Sequence, residues 1–171
     1  MEGNLAPDLL TFAMRQMFVL LVACLIQVPL LSGQPHASRS GESPLEAEMK
    51  ILHTQANAYR ASRRLKPLTR RTELDAIAQE HADRMAAGKV SFSHTGFDAR
   101  ARQSRKVLPV NTVGENLYWT TDDEEVGASA VKGWIKSKGH HANLVGRFTY
   151  CGIGIAMDSK GSFYVVQIYA G

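Results

Sequence analysis

The chain has 171 residues, of which 44% are hydrophobic and 21% charged, with a net charge of +4; that suits one globular domain with a short appendage. Its two cysteines, Cys24 and Cys151, exclude a disulfide-stapled scaffold, because Cys24 lies in an apolar leader. The basic clusters "RASRRLKPLTRR" and "DARARQSRKV" carry no nucleic-acid motif with them, so they are read as solvated faces and no nucleic-acid partner is expected.

Residues 1–33 have the layout of a secretory signal peptide: Arg15, an apolar run from Met17 to Val28, Pro29, then small residues Ser32 and Gly33. Cleavage is expected after Gly33. A retained transmembrane anchor is the competing reading, but the run is shorter than the roughly 20 residues that span a bilayer. Loss of Arg15, Glu2 and Asp8 leaves 19 basic against 14 acidic residues, a net charge of +5. Cys151 then stands alone in an apolar stretch and is read as a buried, inert thiol.

Residues 34–44, small, polar and aperiodic, read as a flexible linker. A first helix follows, striped by Leu45, Met49, Leu52, Ala56 and Tyr59 and ended by "LKPLT". A second is striped by Leu74, Ile77, Ala78, Ala82 and Met85, with Thr72 and Asp75 as a capping box and Gly88 at its close. "FDARARQSRKVLPVNT" reads as a loop holding a short helical turn, and "VGENLYW" as a short strand. Thr121 with Glu124 repeats the capping pattern ahead of a third helix striped by Val126, Ala130 and Trp134, which stops before Gly139. "CGIGIAM" and "SFYVVQIYA" flank the tight turn "DSKG" and make an antiparallel hairpin. Helices followed by a terminal hairpin suggest a layered α+β domain.

Three polar groups stand at element ends, where side chains can converge: His94, Glu115 and His140. Two imidazoles and a carboxylate are the ligand types of an open zinc site. The other reading is a buried polar network in which Glu115 accepts from both imidazoles. Spacing alone favours the network, since no compact H-E-x-x-H is present. His81 falls on the apolar face of the second helix and reads as a core histidine with one nitrogen satisfied; His53 lies off its stripe and reads as exposed. Ser137 reads as a turn or capping residue, Asn116 and Asn143 as ties between backbone turns, and Trp119 and Trp134 as packing that frames a cleft.

The ordered segments "NAYRASRRLKPLTRRTELDAIAQEHADRMA", "FSHTGF", "GENLYW", "AVKGWIKSKGHHANL" and "CGIGIAM…FYVVQIYA" resemble the CAP superfamily of cysteine-rich secretory, antigen 5 and pathogenesis-related proteins. The lack of disulfides is most similar to its bacterial-type SCP-domain branch. The resemblance covers residues 45–171 and implies an α-β-α sandwich, secretion to the extracellular space, and a central cleft of two histidines and two glutamates. His94, Glu115 and His140 match three of those groups; Ser137 stands where the second glutamate would be, and His141 where an arginine is frequent. The missing carboxylate implies a weaker hold on a divalent cation and weakens any paired-carboxylate chemistry.

The leading expectation is thus a non-enzymatic binding module for a lipid or sterol, a peptide, other extracellular proteins, or a weakly held divalent metal such as zinc, with no cofactor required. Its cleft residues are His94, Glu115, Ser137, His140, Asn116 and Asn143. The alternative is a metal-dependent, protease-like hydrolase in which His94, His140 and Glu115 are the metal and catalytic candidates; a purely structural polar network is the third reading.

Overall fold

The computed structural model describes residues 43–122 and 124–171. The signal peptide, its cleavage point and the linker up to residue 42 lie outside them. The described elements are α1 Pro44–Ser62, β1 Thr69–Arg70, α2 Thr72–Ala86, α3 Phe97–Val107, β2 Val113–Thr120, α4 Val126–Lys136, α5 Lys138–Leu144, β3 Tyr150–Met157 and β4 Phe163–Ala170. No helix among the described residues is long and apolar enough to cross a membrane.

The strands form one sheet in the order β1-β3-β4-β2, with β1 parallel to β3 and the other pairs antiparallel. Strand alternation sorts the apolar residues onto two faces. Val166, Ile168 and Ala170 pack with the α2 stripe of Leu74, Ile77, Ala78, Ala82 and Met85. Ile153, Ile155 and Val165 pack on the opposite face with Leu52 and Ala56 of α1 and Val126, Ala130 and Trp134 of α4. The result is the α-β-α sandwich, with the hairpin β3–β4 at its centre. Gly152 and Gly154 let α2 lie close on β3, since a Cβ at either would overlap the backbone of Leu74 or of Ala78 and Gln79.

Both edges of the sheet are covered by side chains. β1 pairs with β3 only at Tyr150 and Cys151. Beyond it, α2 takes over: Asp75 Oδ1 accepts from Ile153 N at 2.8 Å, and the Gln79 amide accepts from Ile155 N and donates to Ile155 O, both at 3.0 Å. On the other edge, the carbonyls of Glu115 and Leu117 receive Asn143 Nδ2 at 3.1 Å and Trp134 Nε1 at 2.9 Å. The carbonyls of Glu115 and Leu117 and the Ile153 and Ile155 backbone groups are thereby withdrawn from pairing with a further strand.

Helix starts differ from the sequence reading. Ser43 does cap α1, accepting Glu46 N at 3.2 Å with Pro44 in the first turn. Thr72 is already helical, Arg71 holds the N-cap position, and no side chain caps α2; Asp75 is drawn instead to Arg70 and β3. The Thr121–Glu124 capping pattern does not form either. α4 starts after Glu125, and its Gly127 N–H is met at 2.7 Å by Glu48 of α1, a cap supplied across the core. A Cβ on Gly127 would overlap the Glu48 carbonyl, so this contact also requires glycine.

Three further corrections have simple causes. Residues 97–107 are an 11-residue helix rather than a loop; its buried positions are the small residues Ala101 and Ser104, which leave no apolar stripe to read. His53 is half-buried, with Nε2 donating to Leu68 O at 2.9 Å, because Asn57 and His53 together hold the 65–68 turn. Trp119 is 45% exposed and frames nothing, whereas Trp134 is buried under β2.

Arg60 is a buried structural cation that pattern reading passes over. Its guanidinium donates to the carbonyls of Lys66, Leu144, Gly146 and Phe148 at 2.9, 3.0, 2.9 and 3.3 Å, fixing the turn after α5 to α1. Cys151 is sealed in the core, where burial pushes its thiol up to about 12; such a thiol is inert at neutral pH.

Candidate functional site

Glu115 sits mid-strand in β2, paired in register with Ile168 and therefore turned toward the α2–α3 side of the sheet. Its side chain is 1% exposed. A carboxylate buried to that degree must be paired, and α3 supplies the partner. Arg100 Nε donates to Oε2 at 2.6 Å and Nη2 to Oε1 at 2.8 Å, a bidentate fork. Arg100 is itself anchored by Nη1 donating to Thr95 O at 3.1 Å. Gly96, at φ +80°, turns the chain between Thr95 and α3 and so sets the approach of Arg100.

His94 completes the carboxylate's surroundings: its Nδ1 donates to Glu115 Oε1 at 2.9 Å while the ring remains 52% exposed. His140, from α5, lies across the cleft with its ring centroid 6.3 Å from that of His94 and an interplanar angle of 49°. Burial, with the neighbouring His94 adding to it, lowers the pKa of His140 below its ordinary 6.5. It is therefore neutral near pH 7.

On the other side of β2, Asn116 points toward α5 and donates to His140 O at 3.0 Å and to the Tyr169 hydroxyl at 3.1 Å. Asn143 reaches from α5 to Glu115 O at 3.1 Å and Asn116 Oδ1 at 2.9 Å. These amides do tie turns together: they hold α5, and with it His140, against the strand that carries Glu115. Gly114 is part of the same fit, since a Cβ there would press on Asn143 and Phe148.

His94, Phe97, Val113, Gly114, Glu115 and Asn143 line an open cavity of about 310 Å³. Ser137 stands apart from it, at the joint between α4 and α5, with its carbonyl accepting His141 N at 2.7 Å and no cap from its hydroxyl. His141 turns away from the cleft, as adjacent residues do, but it is not a bare surface group: its Nε2 meets the Tyr59 hydroxyl at 2.9 Å. His81 is the core histidine the helical pattern indicates, 4% exposed, with Nε2 at 3.1 Å from Ser93 O.

Sequence reasoning missed Arg100. It lies within a basic run that reads as a solvated face, and nothing local pairs it with a glutamate 15 residues away. One signal was available: Arg100 follows Gly96 by one helical turn, so a cation there lies over the "SHTG" segment that carries His94.

The residues present do not make a three-ligand metal centre as they are arranged. Both Glu115 oxygens are already taken by Arg100 and His94, and a guanidinium beside the carboxylate repels any cation that approaches it. Among the described residues, no group of three or more His, Cys, Asp or Glu could hold a metal ion. Nor does Glu115 bridge both imidazoles: no hydrogen bond joins it to His140 among the described residues.

Comparison with known proteins agrees with the fold. Residues 54–169 match the model of the "Cysteine-rich secretory protein family". Pathogenesis-related protein 1C of Nicotiana tabacum is 28% identical over 136 residues, covering 77% of this chain and 67% of that protein. An outer surface protein of Borrelia burgdorferi superposes with a TM-score of 0.64 at 18% identity, covering 75% of this chain and 95% of that one. An extracellular SCP-domain protein of Bacillus anthracis gives 0.59 at 22% identity, covering 77% of this chain. A cysteine-rich secretory protein of Staphylococcus aureus gives 0.59 at 19%, covering 80%. This chain spans only 44% and 42% of those last two longer chains. The family match over more than half of the chain, on a sandwich whose cleft joins the histidine of "SHTG" to the glutamate of "GEN", shows that the chain belongs to the CAP family of cysteine-rich secretory proteins.

Proposed function

We propose that the protein is a secreted, extracellular binding module without enzymatic activity, and that the cleft at His94 is its recognition site. The observation that carries this reading is the neutralisation of Glu115. Its carboxylate is buried, forked by Arg100 and bonded to His94, so both oxygens already accept hydrogen bonds and the guanidinium offsets the charge that would draw a cation or activate water. What remains open to a ligand is the exposed His94 ring beside Phe97 and Val113, a polar point next to apolar walls. That combination suits a lipid headgroup or a peptide side chain with an apolar neighbour. The extracellular SCP-domain protein of Bacillus anthracis and the cysteine-rich secretory protein of Staphylococcus aureus, which share the fold, support secretion.

A metal-dependent hydrolase is the second reading, and the facing imidazoles of His94 and His140 favour it. Zinc calorimetry on the folded protein, with His94→Ala and His140→Ala beside it, separates the two. The binding-module reading expects weak or no zinc binding and no turnover of esters or peptides. Tight one-to-one binding lost in both variants, with turnover abolished by chelator and by Glu115→Gln, overturns it. Lipid vesicles and peptide arrays then identify the ligand, with Val113→Trp as the variant that fills the cavity.

A further inference from the structure

Arg100 is not fully committed to the cleft. Of its five N–H donors, three are spent on Glu115 and on Thr95 O. Arg100 also lines a separate cavity of about 210 Å³ between α2 and α3, together with Glu80, His81, Arg84 and Gln103. That volume falls below the roughly 300–1,000 Å³ of sites for drug-sized ligands, so it admits something the size of an amino acid and no acyl chain.

The wall carries charges that have not paired with each other. Glu80 and Arg84 are one helical turn apart on α2, in the order that ordinarily closes an ion pair. Yet neither takes part in any ion pair or side-chain hydrogen bond among the described residues. His81 adds an independent sign. Its Nε2 faces Ser93 O, which can only accept, so Nε2 carries the proton and Nδ1 keeps a free lone pair. Residue 81 is 96% buried, but Nδ1 is not sealed in the core: among the described residues the one buried side-chain nitrogen or oxygen lacking a partner is Gln167 Nε2. Nδ1 therefore keeps an accessible edge, and His81 is among the residues that line the cavity, where Nδ1 is an acceptor available to a donor. Burial, and then the proximity of Arg100, hold this imidazole neutral.

Two guanidinium groups, an amide, a carboxylate and an accepting imidazole around one small space are complementary to a molecule with an anion at one end and an ammonium at the other. We propose that the cavity between α2 and α3 is a binding site for a small zwitterion, an α-amino acid or the end of a short peptide. Its carboxylate meets Arg84 and the free edge of Arg100, and its ammonium meets Glu80 and His81 Nδ1. The site is distinct from the cleft, although Arg100 is the wall between them, so it stands or falls apart from the function proposed above.

The test is titration of the folded, ¹⁵N-labelled protein with L-alanine by NMR, with acetate and ethylammonium as single-charge probes. The expected result is saturable shifts of the Gly96, Ala99 and Gln103 amides and of the His81 Nδ1 resonance. Binding should weaken by about tenfold or more in Arg84→Gln and in Glu80→Gln, and each single-charge probe should bind at least as much more weakly. Both variants alter exposed side chains and leave the core intact. Absence of saturable shifts up to the solubility limit overturns the site. Undiminished binding in the two variants does so as well, and acetate binding as tightly as alanine overturns the zwitterion in favour of a plain anion.

Discussion

Replacing Arg100 by methionine probes the centre of the site, because it removes the charge and keeps the apolar bulk of the stem. Glu115 then retains one partner, the half-exposed His94, in place of three hydrogen bonds. Hydrogen bonds to a charged group contribute about 1.5–3 kcal/mol each, and breaking a buried pair on one side costs about 3–5 kcal/mol. Cavities on both sides of the pair admit water to the orphaned carboxylate, which places the expected loss near the lower end, about 3 kcal/mol. With a urea m-value of about 2 kcal/mol/M, the unfolding midpoint falls by about 1.5 M. The double variant Arg100→Met with Glu115→Leu removes both charges and should return to within about 1 kcal/mol of the parent, since an apolar pair of similar volume substitutes for a buried ion pair at little cost. Urea unfolding of the parent, both single variants and the double variant closes the cycle. A loss under about 1 kcal/mol in Arg100→Met, or a double variant no more stable than the sum of its singles, refutes the view that Glu115 is held buried by Arg100.

Two other outcomes follow from the structure. Gly154→Ala should destabilise by about 2–3 kcal/mol, as overpacking against the α2 backbone does, whereas Gly139→Ala, with nothing within 4 Å of the new Cβ, should stabilise α5 by up to about 1 kcal/mol; thermal melts of the two variants should move in opposite directions. Acid should weaken the fold through His81 and His140. Burial lowers both below 6.5 in the folded state, so as pH falls through the unfolded value near 6.5 the unfolded chain binds protons that the folded one refuses, and stability drops. The urea midpoint should decrease from pH 7.5 to 5, and His81→Phe should flatten that slope; a midpoint independent of pH refutes the assignment.

Much of the fold was legible because it rests on local periodicity. The stripes of α1, α2 and α4 and the alternation of the terminal hairpin are buried where their spacing places them. α3 was not legible, since its burial uses Ala101 and Ser104 and its purpose is to carry Arg100. β1 was not either: two residues are too short for a pattern and exist as strand only because Cys151 lies alongside. Caps divided in the same way. Ser43 serves its own helix, while α4 is capped by Glu48 from another one.

The site follows the same rule. Residue types and motif order single out His94, Glu115 and His140, and tertiary structure brings them to one cleft. What they do there was decided by a residue that local reading assigns to solvent. Sequence alone determined which segments bury their faces, because burial is written in spacing along one element. Only the tertiary structure decided the state of Glu115, because the charge that compensates a buried carboxylate comes from whichever element packs against it.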